Sequence, residues 1–447
     1  MYILTNGRLI TRDPDARGYY EKGAVVYESS KIVEVGEEAA LTAKYPQAEK
    51  IDAKGGVIMP ALINAHTHIY SALARGLSIV GNNPTNFLEV LEGTWWAIDR
   101  HLTLEGTRAS ADALYIDCIK QGVTTIFDHH ASYCQIPGSL FQIGESAKKF
   151  GIRSCLCYEV SDRDGEEKCL EAIRENADWI TYCREHNDPM LAAMFGGHAL
   201  FTISDKTFDR MVEANNGRTG YHIHVSEGMN DVYDSLQNYG RRPVQRLQDH
   251  GILGEKTILG HCIHVNTAEM ELIRETGTMV VNNPESNMGN AIGICPVLQL
   301  YKRGILLGMG TDAYTNDMLE SLKVALCSQR SQNCLPNVGW CEVTDMLFKN
   351  NAKIGEKYFP DTLGVLKAGA AADIIVMDYK PFTPFSDENI DGHMIFGMTG
   401  RQCQTTIAAG KLLMKDRELV GIDEEAENAH ILEASRKLWG TLNHREY

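Results

Sequence analysis

Val57-Ile58-Met59-Pro60-Ala61-Leu62-Ile63-Asn64-Ala65-His66-Thr67-His68 sets the reading of this 447-residue chain: an apolar run, then two histidines separated by one residue. Residues 57–63 read as a buried strand, with the histidines at its C-terminal end. Residues i and i+2 of a strand project to the same face. The His66 and His68 imidazoles can therefore converge on one ion, at the ~2.0–2.1 Å of a zinc–nitrogen bond. A pair of this kind arises by chance in many proteins; its place at a strand end gives it weight.

Outward from that stretch, strand and helix signals alternate. Apolar strand candidates follow at 123–127, 154–160, 191–195, 221–225, 257–259, 278–281 and 305–309, with helical segments such as 105–120, 166–184 and 267–275 between them. Eight strands in βα alternation predict parallel strands joined by crossover helices. The count fits a closed, TIM-like (β/α)8 barrel over residues 59–365, an α/β fold whose chemistry sits at the C-terminal strand ends. The two ends of the chain read differently. Residues 24–27, 32–35 and 372–377 are strand-like, and 405–413 read as a hairpin turning near Gly410. They predict a small β-sandwich domain formed from both termini, residues 1–58 with 366–420. Ile431, Leu432, Leu438, Trp439 and Leu442 have helical spacing, so residues 421–447 are expected as a helix packed on the body.

The strand-end rule can be tried on the other polar clusters. His222-Ile223-His224-Val225-Ser226-Glu227 stands at the end of the fifth strand. His222 and His224 share a face, so one is placed as a ligand and the other as a deeper interior residue. Glu227 reaches the same place only if the strand has already ended in a loop. Gly260-His261-Cys262 follows the sixth strand. Leu307-Gly308-Met309-Gly310-Thr311-Asp312 sets a carboxylate just beyond the eighth, after glycines that let the backbone bend sharply. Singly, each cluster has a plainer reading as a hydrogen-bonded core residue or a turn. Together, polar clusters at the ends of four separate strands point to a metal-centred site.

Composition narrows the class. The chain is 44% hydrophobic and 23% charged, ordinary for a globular protein. A formal net charge of −16 argues against nucleic acid or an anionic membrane as the main partner. The N-terminal residues are polar by the sixth and build no signal peptide, and no run approaches the ~18 apolar residues of a membrane span. The twelve cysteines, mostly in apolar runs, read as buried free thiols of a reducing cytoplasm. Cys155-x-Cys157 has no second pair to complete a metal site.

Met59-Pro60-x3-Asn64-Ala65-His66-Thr67-His68, His224-x2-Glu227, His261, Ser286-Asn287 and Gly310-Thr311-Asp312 together resemble the amidohydrolase superfamily, in the branch holding cytosine, guanine and S-adenosylhomocysteine deaminases and the s-triazine hydrolases. The resemblance spans nearly the whole chain; Leu366-Lys367-Ala368-Gly369-x3-Asp373 is similar to that branch's entry to its last strands. It implies His66, His68, His224 and Asp312 as ligands of one divalent metal, zinc first and iron second, both suited to N/O ligands. It further implies His261 as the residue that orients the attacking water and Glu227 as the proton shuttle beside the substrate ring; Asp312 is expected to take the proton of that water while binding the metal weakly. His198 resembles a substrate-contacting histidine on strand four, although Leu200-Phe201 stands where relatives often have Pro and Tyr. Asp99 stands where such deaminases place an acidic substrate contact, with a shorter side chain. Trp95, with Tyr70 and Trp96, is placed to stack on a planar ring or to serve as packing.

Binuclear relatives bridge two metals with a carbamylated strand-four lysine, and residues 187–205 contain no lysine. The resemblance therefore implies a single metal, with His129 and His130 read as one packed residue and one at the pocket rim. The implied reaction is hydrolysis of an exocyclic C–NH2 of a purine, pyrimidine or triazine with release of ammonia, in a cytoplasmic homo-oligomer. Cyclic amide opening and triazine dechlorination are the enzymatic rivals. A barrel kept only as a binding module is the non-catalytic one, against which every expected ligand position is filled.

Overall fold

The computed structural model, which describes residues 1–447, divides the run 57–63 between two sheets. Val57–Pro60 pairs in parallel with Tyr2–Ile10 and antiparallel with Ile374–Met377, whereas Leu62–Thr67 is the first barrel strand. Pro60 has no amide hydrogen to give, and the chain changes sheets there: Ala61 N–H donates to Asp373 O at 3.1 Å and Leu62 N–H to Gly122 O at 2.9 Å. Both strands are buried on both faces. No alternation marks their junction, so one apolar run reads as one strand.

The barrel strands are Leu62–Thr67, Val123–His130, Arg153–Tyr158, a fourth in two pieces, Tyr221–Val225, Ile258–His261, Met279–Asn282 and Leu307–Met309. Their ladders are all parallel. The fourth strand breaks at Met194. Leu191–Ala193 pairs with the third strand and Phe195–Ala199 with the fifth, and a bridge from Val160 to Gly197 joins the two halves. The second strand runs to His130, three residues past the expected end, and carries Asp128, His129 and His130 into the interior.

Closure between the first and eighth strands rests on one bridge, Thr67 to Asp312. The His66 carbonyl accepts both Thr311 N–H at 2.9 Å and Asp312 N–H at 3.0 Å. Lower in the seam a side chain replaces the missing ladder. Asn351, fully buried at the start of Asn351–Glu356, donates through Nδ2 to Ile63 O at 2.7 Å and Met309 O at 2.8 Å, and its Oδ1 accepts Met309 N–H at 2.8 Å.

The termini build one nine-stranded sheet from Tyr2–Ile10, Tyr19–Glu28, Lys31–Glu37, Glu49–Asp52, Val57–Pro60, Ile374–Met377, Cys403–Ala408, Lys411–Lys415 and Glu418–Leu419. Strand parity sorts its side chains. Ile58, Ile374 and Val376 join a core of the sheet's own, while Val57, Met59, Ile375 and Met377 pack into the main core. Arg153 of the third barrel strand, fully buried, ion-pairs with Asp373, the last residue of the Leu366–Asp373 motif, and so ties barrel to sheet.

The C-terminal helix Glu424–Asn443 lies along Leu104–Gln121. Leu438 is buried beneath it, but Leu432 is half exposed and lies off the contact stripe. All twelve cysteines are free thiols; seven are buried, and Cys134, Cys327, Cys334 and Cys341 are exposed. No helix is long and apolar enough to cross a membrane.

Replacing Asn351 by Leu would leave the Ile63 and Met309 carbonyls and the Met309 N–H buried without this partner. Each buried unsatisfied group costs about 1–3 kcal/mol, so urea unfolding should show a loss of at least about 3 kcal/mol. A loss under about 1 kcal/mol would mean that the seam does not depend on this side chain.

Candidate active site

Left-handed backbone turns end three of the four strands that carry the polar clusters, the fifth, sixth and eighth. Ser226, His261, Cys262 and Asp312 have φ of 49°, 68°, 50° and 55°. Such conformations are costly for non-glycine residues and persist only where the surroundings fix them. Here those surroundings are specific: Ser226 N–H donates to the buried Asp231 carboxylate at 2.6 Å, and Asp312 N–H donates to His66 O. The turn at Ser226 ends the fifth strand and swings Glu227 back over the barrel mouth. That is the loop condition under which Glu227 can share a site with His224.

The imidazoles and the carboxylate converge. His68 Nδ1 donates to the His129 carbonyl at 2.5 Å, which turns Nε2 toward the cluster. Burial lowers the His68 pKa, but the Asp312 carboxylate outweighs burial and raises it to about 9, so that without an ion Nε2 also carries a proton. That Nε2 lies 2.8 Å from Asp312 Oδ1 and 3.3 Å from His224 Nε2. His66 Nδ1 meets His222 Nε2 at 2.8 Å, while His66 Nε2 has no hydrogen-bond partner and lies 3.5 Å from Asp312 Oδ1. His222 thus sits one layer deeper and orients His66. Ser286 Oγ donates to Asp312 Oδ2. Burial pushes the His66 pKa down to about 3 and the His224 pKa well down, so these rings are neutral donors of electron pairs. Atoms crowded this closely need a positive charge among them, a proton on His68 Nε2 facing Asp312 or a metal ion that replaces it.

His261 and Glu227 stand beside this cluster. His261 Nδ1 donates to Asn287 Oδ1 at 2.7 Å, and its Nε2 faces Glu227 Oε1 at 3.6 Å and Asp312 Oδ2 at 3.8 Å. Burial keeps His261 neutral. For Glu227, burial and then the charges of Asp312, Asp231 and Glu159 raise the carboxyl pKa well above its ordinary value.

A narrow cleft opens over these groups, with His68, His224, Glu227, His261 and Asp312 at its floor and Tyr70, Phe87, Leu91, Trp95 and Trp96 as an aromatic and aliphatic wall. His198 lines the cleft too, its Nδ1 bonded to Thr202 Oγ1 at 2.7 Å. Asp99 is not brought to the cleft. It is buried behind the wall, where both carboxylate oxygens are taken by Arg163. Arg163 stacks on Trp96 and Tyr133 and also donates to Glu159 Oε1 at 3.2 Å. His129 and His130 are both fully buried, so neither stands at the rim: His129 Nε2 faces the carbonyls of Gly197 and His222, and His130 lies against Tyr70 and Tyr158.

Glu159 is a charged cleft residue that was not among the expected site residues. Burial raises its pKa, but His198, His129 and Arg163 outweigh burial and hold it below the ordinary carboxylate range. The signal was available, since Glu159 is a charge at the C-terminal end of the apolar third strand. Phe87 and Leu91 sit on the short helical turns Phe87–Val90 and Leu91–Trp95, and Asn290 caps Pro284–Gly289, where no sequence pattern marks them.

A sequence profile of the amidohydrolase family matches residues 57–413, and residues 23–48 match a bacterial imidazolonepropionase-like composite domain. The chain is 30% identical to the 5'-deoxyadenosine deaminase of Methanosarcina mazei over 99% of both chains. It is 31% identical to the 5-methylthioadenosine/S-adenosylhomocysteine deaminase of Thermococcus sibiricus, over 88% of this chain and 90% of that one. Among solved structures, an adenosine deaminase from Xanthomonas campestris with bound zinc shares the fold, with a TM-score of 0.86 at 22% identity over 98% of each chain. The chain belongs to the amidohydrolase family and is a hydrolase.

Gly310 has no room for a side chain: a Cβ there would lie 2.5 Å from Asn283 Oδ1 and 2.7 Å from His66 Cβ. Gly310→Ala should therefore displace His66 and destabilise the protein by about 1–3 kcal/mol. An unchanged urea midpoint would show that the eighth strand end can shift without cost.

Proposed function

We propose that this chain is a mononuclear metal-dependent aminohydrolase that removes the exocyclic amine of an aminopurine nucleoside. The observation that carries the reading is the convergence of His66 Nε2, His68 Nε2, His224 Nε2 and Asp312 Oδ1, four buried electron-pair donors within 2.8–3.5 Å of a neighbour in the set. His66 Nε2 is buried without a hydrogen-bond partner. Three imidazoles and one carboxylate suit a divalent metal of the zinc type, which would displace the proton on His68 Nε2, and these four residues would hold it. When bound, such an ion lowers the pKa of water from ~15.7 toward ~7 and polarises the carbon under attack.

The remaining chemistry belongs to the side chains. Asp312, held through Ser286 and its own backbone, is placed to take the proton of the attacking water. Neutral His261, with its proton fixed on Nδ1 by Asn287, offers Nε2 to orient that water. Glu227, kept protonated by burial and its acidic neighbours, donates to the ring nitrogen beside the attacked carbon. The tetrahedral intermediate is then neutral, and transfer of a proton to the exocyclic nitrogen lets ammonia leave. The aromatic wall suits a planar heterocycle, and the names of the relatives favour adenosine-type substrates. Strand four, with no lysine among residues 191–199, supports one metal rather than two. The free thiols fit a reducing compartment such as the cytoplasm.

Ammonia release should be assayed with the zinc-loaded protein over 5'-deoxyadenosine, 5-methylthioadenosine, S-adenosylhomocysteine, guanine, cytosine and an aminotriazine. Release from an adenosine-type member is expected. No release from any member with metal bound would overturn deamination, and chloride release from a chlorotriazine or ring opening of a cyclic amide, assayed alongside, would identify the rival hydrolyses. Glu227→Gln should lower turnover by about 10²–10⁴-fold while metal content stays near that of the parent protein. Loss of metal in that variant would make Glu227 a ligand instead of a proton donor.

A further inference from the structure

The segment between the first barrel strand and Leu104–Gln121 supplies Tyr70, Phe87, Leu91, Trp95 and Trp96 to the cleft. From Arg75 to Asn86 it contains no helix or strand, and Val80 is 70% exposed. An irregular, exposed segment opens readily unless something fixes its backbone. The far end of the chain does so. Asn443 Oδ1 accepts Val80 N–H at 2.7 Å and Asn443 Nδ2 donates to Ser78 O at 3.0 Å, the two-point pairing that a neighbouring strand would offer. The orientation of the amide is fixed, because reversing it would set donor against donor and acceptor against acceptor. One turn earlier, Trp439 Nε1 donates to Leu73 O at 2.7 Å, and its ring lies close to Gly76, where an added Cβ would be 3.8 Å away. Asn443 is only 9% exposed.

We infer that the C-terminal helix is a clamp that positions the aromatic wall of the cleft, with Asn443 and Trp439 as positioning residues. The inference rests on the reading of the cleft as a substrate site. Asn443 and Trp439 touch neither the cleft floor nor the metal-ligand cluster. They act through the backbone at Leu73, Ser78 and Val80, after Tyr70 and ahead of Leu91 and Trp95. Their loss should thus be felt in binding more than in the chemical step.

Hydrogen exchange on the zinc-loaded, full-length protein tests this directly, comparing Asn443→Ala and Trp439→Phe with Leu432→Ala on the exposed side of the same helix. Backbone exchange at Val80 and across residues 91–96 should rise about tenfold in the two clamp variants, the factor one net hydrogen bond supports. The Leu432→Ala protein should exchange like the parent. With 5'-deoxyadenosine as substrate, KM should rise several-fold while kcat stays within about twofold. Unchanged exchange at Val80 would overturn the clamp, as would faster exchange at Val80 that does not reach 91–96. So would a fall in kcat at constant KM. If 5'-deoxyadenosine is not turned over, the exchange at 91–96 still decides the clamp, and only the assigned reaction fails.

Discussion

The structure of the site depends on the seam between the first and eighth strands. Two successive amides, those of Thr311 and Asp312, donate to the single carbonyl of His66. That pairing hangs the Asp312 carboxylate from the backbone of the residue that bears one of the imidazoles it faces. With Ser286 Oγ donating to the other carboxylate oxygen, it sets Asp312 Oδ1 2.8 Å from His68 Nε2. Asn351 supplies the hydrogen bonds that a regular ladder would have made below this point. The left-handed turn at Asp312 is tolerated because the amide it presents is satisfied there.

Charge is arranged in layers around that seam. Imidazoles and one ionised carboxylate converge at the centre, and the next carboxyl outward, Glu227, is held protonated by burial and by the charge of Asp312. Beyond it, Glu159, Arg163 and Asp99 form a buried chain of alternating sign. Arg163 serves both acids and stacks on Trp96, so the back of the aromatic wall is fixed by ion pairs and its edge by the C-terminal helix. A buried chain of this kind adds little net stability over an apolar core, but removing one member leaves an uncompensated charge. Its effect on the cleft is to hold the Glu159 carboxylate ionised and facing inward.

Much of this was legible in the chain. The H-x-H pair after an apolar run, the histidines of 222–224 and the glycines before Asp312 each sit at a strand end, and period two assigns their faces. The sequence could not show that residues 57–63 serve two sheets, because strands buried on both faces carry no alternation. Nor could it show that Asp99 is taken by an arginine 64 positions later, since that pairing depends on how two loops meet over the barrel. Glu159 was within reach of the strand-end rule. Asn443 was not: a polar residue near the end of a terminal helix reads as solvated until the loop it holds is seen.

The central claim is that one metal ion sits among His66, His68, His224 and Asp312. It is tested most directly by a crystal structure of the zinc-loaded protein with anomalous data collected on both sides of the zinc absorption edge. A single strong peak is expected among His66 Nε2, His68 Nε2, His224 Nε2 and Asp312 Oδ1. A peak among Glu159, His198 and His224 instead, a second peak of equal height, or no peak at full zinc loading would contradict it.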